Sequence, residues 1–136
     1  MDAELAWAGG LRFDAEPPSG FSFSFDSVED GEPAGPSPME TLLVSLAACT
    51  AMDVISILEK KRQKVTSYKV RISGDRPPAG EWPRPFERIM IKHIVGGEDI
   101  DPAAVERAIE LSDGKYCSVA ATLRHKPEVV NDWEIA

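Results

Sequence analysis

Two cysteines, Cys49 and Cys117, are the residues of this sequence best suited to chemistry. Cys49 lies in the apolar run PSPMETLLVSLAACTAMD, where an alanine would pack as well, and Cys117 lies in KYCSVAATL, sixty-eight residues later. In a chain this short, such a pair is consistent with inert packing, a disulfide, metal ligation or a redox pair. The choice among these four roles decides the function.

Standard metal-binding and catalytic motifs do not match the sequence. No CxxC is present and His93 and His125 stand at unrelated spacings, so we predict no metal site and no cofactor. The sequence also lacks GxSxG, GxGxxG, P-loop and HExxH motifs. Asp53 follows Cys49 by four residues, on the same side of a helix, and its charge would disfavour a thiolate unless it is paired. Taken singly, each cysteine is typical of a small buried hydrophobic residue, which is usually inert.

Composition and charge exclude several classes of partner. The chain has 136 residues, of which 43% are hydrophobic and 28% charged, and this predicts one globular domain over residues 1–136. Its net charge of −8 would repel a phosphate backbone or an anionic membrane, so we expect neither nucleic-acid nor membrane binding. The N-terminal MDAELAWAGG is unlike a signal peptide, which predicts a cytoplasmic protein. In that reducing compartment a transient catalytic disulfide is more usual than a permanent one.

A long helix is predicted to carry Cys49. Ser37, Pro38 and Glu40 form a capping-box pattern that begins this helix, and the cations of EKKRQK favour its end near Lys61. Apolar residues occur on most of its sides, but charged and hydroxyl residues interrupt them. We therefore predict a buried central helix, covered by a sheet on one side and by other helices or a second subunit on the other, and not a membrane span.

Strands are predicted on both sides of this helix in the sequence. The alternating FSFSF predicts a strand with Phe21, Phe23 and Phe25 on one face, and Leu11 and Phe13 fit its hairpin partner. After the helix, VTSYKVRISG and RPFERIMIKHIVG predict two further strands, and EVVNDWEI alternates as a final strand.

Two shorter helices are predicted near the second cysteine. Asp101 and Pro102 supply the N-cap and first position of a helix that runs to about Leu111. After the turn signal SDGK, a shorter helix carries Tyr116 and Cys117. The complete order of elements, with no regular βαβ repeat, predicts an α+β fold.

Two long segments resemble the osmotically inducible protein C and organic hydroperoxide resistance family, OsmC/Ohr. They are GPSPMETLLVSLAACTAMDVISILEKKR and LSDGKYCSVAATL, and the N-terminal W-x-GG adds to them. The resemblance covers nearly the whole chain and is closest to the branch with PSPME before the first cysteine. It implies an OsmC-like α+β fold, with antiparallel sheets packed around a long central helix, and an intertwined homodimer with active sites at the subunit interface.

The resemblance also implies an activity, namely reduction of organic hydroperoxides in defence against oxidative stress. Cys49 would be the peroxidatic residue that becomes a sulfenic acid, and Cys117 would be the resolving residue that condenses with it to a disulfide. A dithiol reductant then reopens the disulfide. In the hydroperoxidases, an arginine from the N-terminal region and a glutamate after the proline hold each other beside the thiolate. Here Arg12 is the candidate arginine, and Met39 occupies the glutamate position.

Two functions remain open at this point. The first is the thiol peroxidase, whose apolar substrate would suit a pocket lined by Met39, Leu43, Met52 and aromatic residues. The alternative is a non-peroxidase OsmC-like protein, either redox-responsive or small-ligand-binding, in which the two cysteines form a slow switch or simply pack. The peroxidase needs the two cysteines close enough to bridge, with Cα atoms within roughly 7 Å or a small movement from it.

Overall fold

The computed structural model describes residues 1–28 and 30–135. Its regular elements, in chain order, are β1 (Glu4–Trp7), β2 (Phe13–Glu16), β3 (Phe23–Phe25), α1 (Pro38–Lys60), β4 (Lys64–Asp75), β5 (Arg88–Glu98), α2 (Pro102–Leu111), a π-helical turn (Ser112–Tyr116) and α3 (Ser118–His125). The predicted α+β class is confirmed. Two compact units, Met1–Val44 and Ser45–Ala136, divide the chain, and the single domain over residues 1–136 stays a prediction.

The first unit contains a three-stranded antiparallel sheet in the order β1, β2, β3. Phe13 of β2 pairs with Trp7 on one side and with Phe25 on the other. The turn between β1 and β2 depends on Gly9 and Gly10, whose φ angles of 102° and 55° lie in the region that favours glycine. The W-x-GG segment is therefore a tight hairpin turn.

The predicted N-terminal strands are confirmed only in part. The FSFSF strand is shorter than expected, because Phe21 lies outside it and is 82% exposed. Leu11 lies in the turn and not in the partner strand, which begins at Phe13. Sequence analysis missed β1, because all four of its residues are exposed and leave no alternating pattern to detect.

The capping box at the start of α1 is confirmed. The backbone N–H and the hydroxyl of Ser37 both donate to Glu40 Oε2 at 2.7 Å, and the backbone N–H of Glu40 lies 3.4 Å from Ser37 Oγ. These bonds, the hydroxyl's first, lower the pKa of Glu40 from its ordinary value. The Glu40 carboxylate is thus engaged in beginning the helix.

In the second unit, α1 buries one stripe of side chains. Its buried residues recur every four positions: Leu46, Thr50, Val54 and Leu58. By length and composition alone, α1 would be able to cross a membrane. Its stripe packs instead against the sheet and the other helices, so α1 is a core helix, as the sequence predicts.

Two apolar clusters form along this stripe. The first joins Val54 and Leu58 to Ala104 and Ala108 of α2. The second joins Leu46 to Cys117 and Ala120. Residues of β4 and β5 pack against each cluster: Val65, Tyr68 and Val95 against the first, and Ile72, Ile89 and Ile91 against the second. Cys117 therefore lies within the core.

The antiparallel hairpin β4–β5 supplies the sheet of the second unit. It pairs from Lys64 opposite Glu98 to Asp75 opposite Arg88, with an irregularity between Val65 and Ser67. Burial alternates along both strands, so one face turns to α1. Both strands were predicted.

The predictions after β5 are right for α2 and less accurate beyond it. Asp101 caps α2, since its carboxylate accepts a bond of 3.0 Å from the Ala103 N–H, and α2 ends at Leu111 as expected. Cys117 is not inside the next helix but is its N-cap residue, because the π-helical turn takes up the five residues before it.

The predicted final strand is wrong. Residues 126–135 form no regular secondary structure. No strand of the described chain pairs with them, and an isolated strand without a partner is not stable. Their apolar side chains are 77–86% exposed: Val129, Val130, Trp133 and Ile135.

Leu58→Ala tests the core along α1. Leu58 has no exposed surface, so the truncation should lower the free energy of unfolding by about 2–5 kcal/mol, measured by urea denaturation. Leu11→Ala makes the same chemical change at a residue that is 66% exposed, and it should cost less than about 0.5 kcal/mol. Equal losses in the two variants would contradict this description of the core.

Candidate functional site

Three side chains with chemical potential meet beside α1. Cys49 and Asp53 stand one helical turn apart on α1, and Cys117 precedes α3. The two Sγ atoms and a carboxylate oxygen of Asp53 all lie within 4.8 Å of one another. Both cysteines are free, with Cys117 buried and Cys49 partly buried. We call these three residues the thiol cluster.

The π-helical turn brings Cys117 to α1. The backbone N–H of Cys117 donates to the Ser112 carbonyl at 2.8 Å, which closes the turn. The fully buried Ser112 hydroxyl lies 3.0 Å from Thr50 Oγ1 and 2.9 Å from Asp53 Oδ2. Because a carboxylate only accepts, the Ser112 proton goes to Asp53. Ser112 therefore attaches the turn to α1 and orients the Asp53 carboxylate.

Burial determines the charge state of Cys117. Only 4% of this residue is exposed, and burial raises the pKa of its thiol. The Ala120 N–H donates to its sulfur at 3.5 Å and opposes this rise, while the neighbouring Cys49 and Asp53 add to it. The net shift is upward, so Cys117 is a neutral thiol near neutral pH.

A cavity of about 530 Å³ reaches the thiol cluster at Cys117. This size suits a small organic ligand. Apolar side chains from α1, β5, α2, α3 and the segment before β5 form much of its wall: Leu46, Phe86, Ile89, Ile91, Ile109, Ala120 and Leu123. Cys49 is not among its lining residues.

The rest of the cavity wall is polar. Arg124 contacts Asp113 through a 2.7 Å ion pair and a 3.1 Å bond to its carbonyl. His93 Nδ1 lies 2.6 Å from the Tyr68 hydroxyl. Burial raises the pKa of Tyr68 to about 12 and lowers the pKa of His93, so tyrosine donates to a neutral imidazole. The cavity thus combines an apolar wall with a polar rim.

Comparison with known proteins identifies the family. A profile described as OsmC-like protein matches residues 30–131, which is most of the chain. The chain belongs to the OsmC-like protein family. Protein YhfA of Escherichia coli K12 is 41% identical over 135 residues, covering 99% of this chain and 98% of its own. The OsmC/Ohr resemblance read from the sequence is therefore confirmed.

Solved structures of similar proteins agree with the OsmC-like fold. A hypothetical protein from Aquifex aeolicus VF5 is 35% identical, with a TM-score of 0.77 over 90% of this chain and 86% of its own. An organic hydroperoxide resistance protein OsmC from Legionella pneumophila is 12% identical, with a TM-score of 0.65 over 91% of this chain and 88% of its own. At that identity, the second likeness concerns the fold alone.

The predicted site residues of this OsmC-like protein have different outcomes. The structure brings Cys49 and Cys117 together, while their chemical roles stay predictions. Arg12 lies in the first unit, where two of its nitrogens contact Asp14 Oδ1 at 3.0 Å. A bond from the Ser24 hydroxyl, then those from Arg12, lower the pKa of Asp14. Arg12 is thus paired with a carboxylate, and its catalytic role stays a prediction.

The expected substrate pocket is corrected, because Met39, Leu43 and Met52 are all absent from the lining of the cavity at Cys117. Met52 is 72% exposed and does not line the cavity at Cys117. It stands on a side of α1 different from the buried stripe, since a step of two residues turns a helical side chain by about 200°. Isoleucines of β5, which sequence analysis did not select, form the apolar wall instead.

Sequence analysis missed the residues that organise the thiol cluster. Ser112 was read only as part of a turn signal, and Thr50 was not selected. Sixty-two positions separate them in the sequence, so no local pattern relates one to the other. A clue was available in Asp53, whose carboxylate on an apolar helix required a partner.

Mild oxidation of the native protein tests the geometry of the cluster. With the sulfurs within 4.8 Å, a small movement brings them to the bonding distance of about 2.05 Å. We expect diamide to form one intramolecular disulfide, detected by mass spectrometry as the loss of two hydrogens. Cys49→Ser is the control and should not form it. Predominantly intermolecular disulfides in the wild type would contradict the arrangement.

Proposed function

We propose that this OsmC-like protein is a cytoplasmic thiol peroxidase that reduces organic hydroperoxides with Cys49 and Cys117. The observation that carries the proposal is the approach of the two sulfurs to within 4.8 Å beside a cavity of about 530 Å³. A solved structure of the same fold is named as an organic hydroperoxide resistance protein. That name supports organic hydroperoxides as the substrate class.

In the first step, the Cys49 thiolate attacks one oxygen of the peroxide. The S–O bond forms as the O–O bond breaks, so the sulfur is oxidised to a sulfenic acid and the substrate leaves as an alkoxide, which takes a proton to become the alcohol. The choice of Cys49 follows from charge, because burial and neighbouring negative groups disfavour the thiolate of Cys117.

In the second step, Cys117 attacks the sulfenic sulfur of Cys49. The S–S bond forms and water leaves, carrying the sulfenic oxygen and the proton of the Cys117 thiol. A dithiol reductant then exchanges with the disulfide, restoring both thiols and becoming a disulfide itself. The cycle transfers two electrons from the reductant to the peroxide. We expect it to contribute to defence against oxidative stress.

The cavity suits a substrate with an apolar organic group. Its isoleucine and leucine side chains would hold that group, and the polar rim would remain near water. Because the cavity contacts Cys117 and not Cys49, the reversed assignment, with Cys117 attacking first, makes a distinct prediction for the single-cysteine variants.

One observation supports the alternative of a redox-responsive or ligand-binding protein. Among residues 45–135, no lysine or arginine side chain bonds to either sulfur or forms an ion pair with Asp53. A peroxidatic thiolate commonly needs such a cation nearby. In the alternative, the cavity binds a small ligand and the two thiols oxidise slowly.

Single-turnover oxidation by cumene hydroperoxide tests the activity. The wild type should lose both thiols, form the internal disulfide and react faster than free cysteine. Cys117→Ser should stop at the sulfenic acid or continue to sulfinic acid, and Cys49→Ser should not react; thiol counting and mass spectrometry distinguish these products. A reactive Cys49→Ser would reverse the roles. A wild type that keeps both thiols would contradict the peroxidase and favour the ligand-binding alternative.

A homodimer is part of the proposal, because α1 keeps apolar surface exposed. Val44 is 61% exposed and Met52 is 72% exposed. We expect light scattering to give twice the mass of the chain at micromolar concentration. Met52→Lys should shift the protein towards monomer, because it places a charge on this surface. Glu106→Lys, at an exposed residue of α2, is the control; a stable wild-type monomer would contradict the dimer.

A further inference from the structure

The thiol cluster has the composition of a metal site as well as that of a redox pair. It offers two sulfurs and a carboxylate oxygen, all within 4.8 Å. Sulfur ligands favour zinc and other thiophilic ions, whereas magnesium and calcium select oxygen ligands. No CxxC motif or histidine spacing in the sequence indicated such a site, because its ligands come from α1 and from the residue before α3.

We propose that Cys49, Asp53 and Cys117 bind one zinc ion in the reduced protein. Bonds of about 2.3 Å to sulfur and 2.0–2.2 Å to oxygen place tetrahedral ligand atoms about 3.5–3.8 Å apart. The separations of up to 4.8 Å reach this range through shifts of about 1 Å. Three protein ligands leave a fourth position for water, and the cavity at Cys117 has room for it.

A residue beside the ligands supports the same conclusion. The buried Ser112 hydroxyl, held beside Thr50, bonds to Asp53 Oδ2 at 2.9 Å. Ligating carboxylates are characteristically oriented by such an outer hydrogen bond. Asp53 is therefore fixed toward the two sulfurs before any ion binds, which reduces the conformational cost of binding.

Charge balance provides an independent reason. Within residues 1–28 and 30–135, the four ion pairs are Arg12–Asp14, Lys64–Glu98, Arg107–Glu110 and Arg124–Asp113, so none neutralises Asp53. A divalent cation bound here would supply a counter-charge to the Asp53 carboxylate.

Zinc binding would also control the reactivity of the pair. Zinc occupies both thiolates, so it prevents Cys49 from attacking a peroxide and Cys117 from resolving the product. A disulfide has no thiolate to offer, so the oxidised protein releases the ion. The inhibition rests on the proposed peroxidase function, whereas the binding itself does not.

Direct titration of the full-length reduced protein tests the binding. Competition with a chromophoric chelator should show one zinc ion per chain, and cadmium as a probe should give a thiolate-to-metal charge-transfer band. Diamide-oxidised wild type should bind neither ion. Absence of stoichiometric binding by the reduced protein would overturn the proposal.

Variants test the contribution of the oxygen ligand. Ser112→Ala should weaken zinc binding by about 10- to 100-fold, and Asp53→Asn should weaken it at least as much. Glu59→Gln removes an exposed acid from the same helix and should leave the affinity unchanged. Equal zinc affinities in Asp53→Asn and Glu59→Gln would show that Asp53 is not a ligand. That result would overturn the proposed three-ligand site. If Asp53→Asn does not fold, Ser112→Ala and the cadmium band of Cys49→Ser, which should be lost, decide the question.

A final comparison separates this proposal from the peroxidase. Chelator-treated reduced protein should react with cumene hydroperoxide, and the zinc-loaded protein should not. Zinc binding without any peroxide reaction of the metal-free protein would refute the peroxidase alone. A peroxide reaction that zinc does not inhibit, with no zinc bound, would refute the metal site alone.

Discussion

The hydrogen bonds of the buried Ser112 hydroxyl are the contacts on which the site depends. Ser112 begins the π-helical turn, and its side chain reaches both Thr50 and Asp53 on α1. The turn closes five residues later at the Cys117 N–H. An unsatisfied hydroxyl at this depth would cost about 1–3 kcal/mol. The closed turn and its attachment to α1 place Cys117 beside Cys49. Helix α2 ends directly before this turn, and α3 begins directly after Cys117.

The site keeps two thiols near each other without giving them the same environment. Cys117 is almost fully buried and packs with Leu46 and Ala120, so its ionisation is disfavoured. Cys49 is more accessible and lies on the exposed border of the same cluster. This difference in burial leaves Cys117 as the neutral partner of the pair. The Asp53 carboxylate gives the cluster negative charge, which favours a cation as its fourth participant.

The cavity adds a spatial constraint to the chemistry. Isoleucines of β5 and the end of α3 form an apolar wall that leads to Cys117, and Arg124 with Asp113 lies at its polar rim. The alternating burial of β5 contributes to this wall, because every second side chain of the strand turns toward α1. The hairpin thus both covers the central helix and shapes the space beside the thiols.

Local patterns predicted most of the secondary structure. The capping box of α1, the Asp101 cap of α2 and the hairpin strands β4 and β5 were all identified, because each depends on residues a few positions apart or on a simple period. The order of the predicted elements supplied the α+β class, and the resemblance to a known family supplied the OsmC-like fold and the expected roles of both cysteines. Strand β1 and the unpaired end of the chain were not read correctly, because strand formation depends on a partner edge elsewhere.

Tertiary structure decided the chemistry of the site. The sequence indicated that Cys49 and Cys117 were special and that Asp53 needed a partner, but distance, burial and hydrogen bonds between α1 and the π-helical turn are not encoded in any local pattern. The π-helical turn took the place of the expected SDGK turn, included Tyr116 and changed Cys117 from a helix residue to an N-cap. Only the folded chain brings a serine sixty-two residues away to Thr50. Local propensity is set by neighbours in sequence, whereas the charge and reactivity of a thiol are set by neighbours in space.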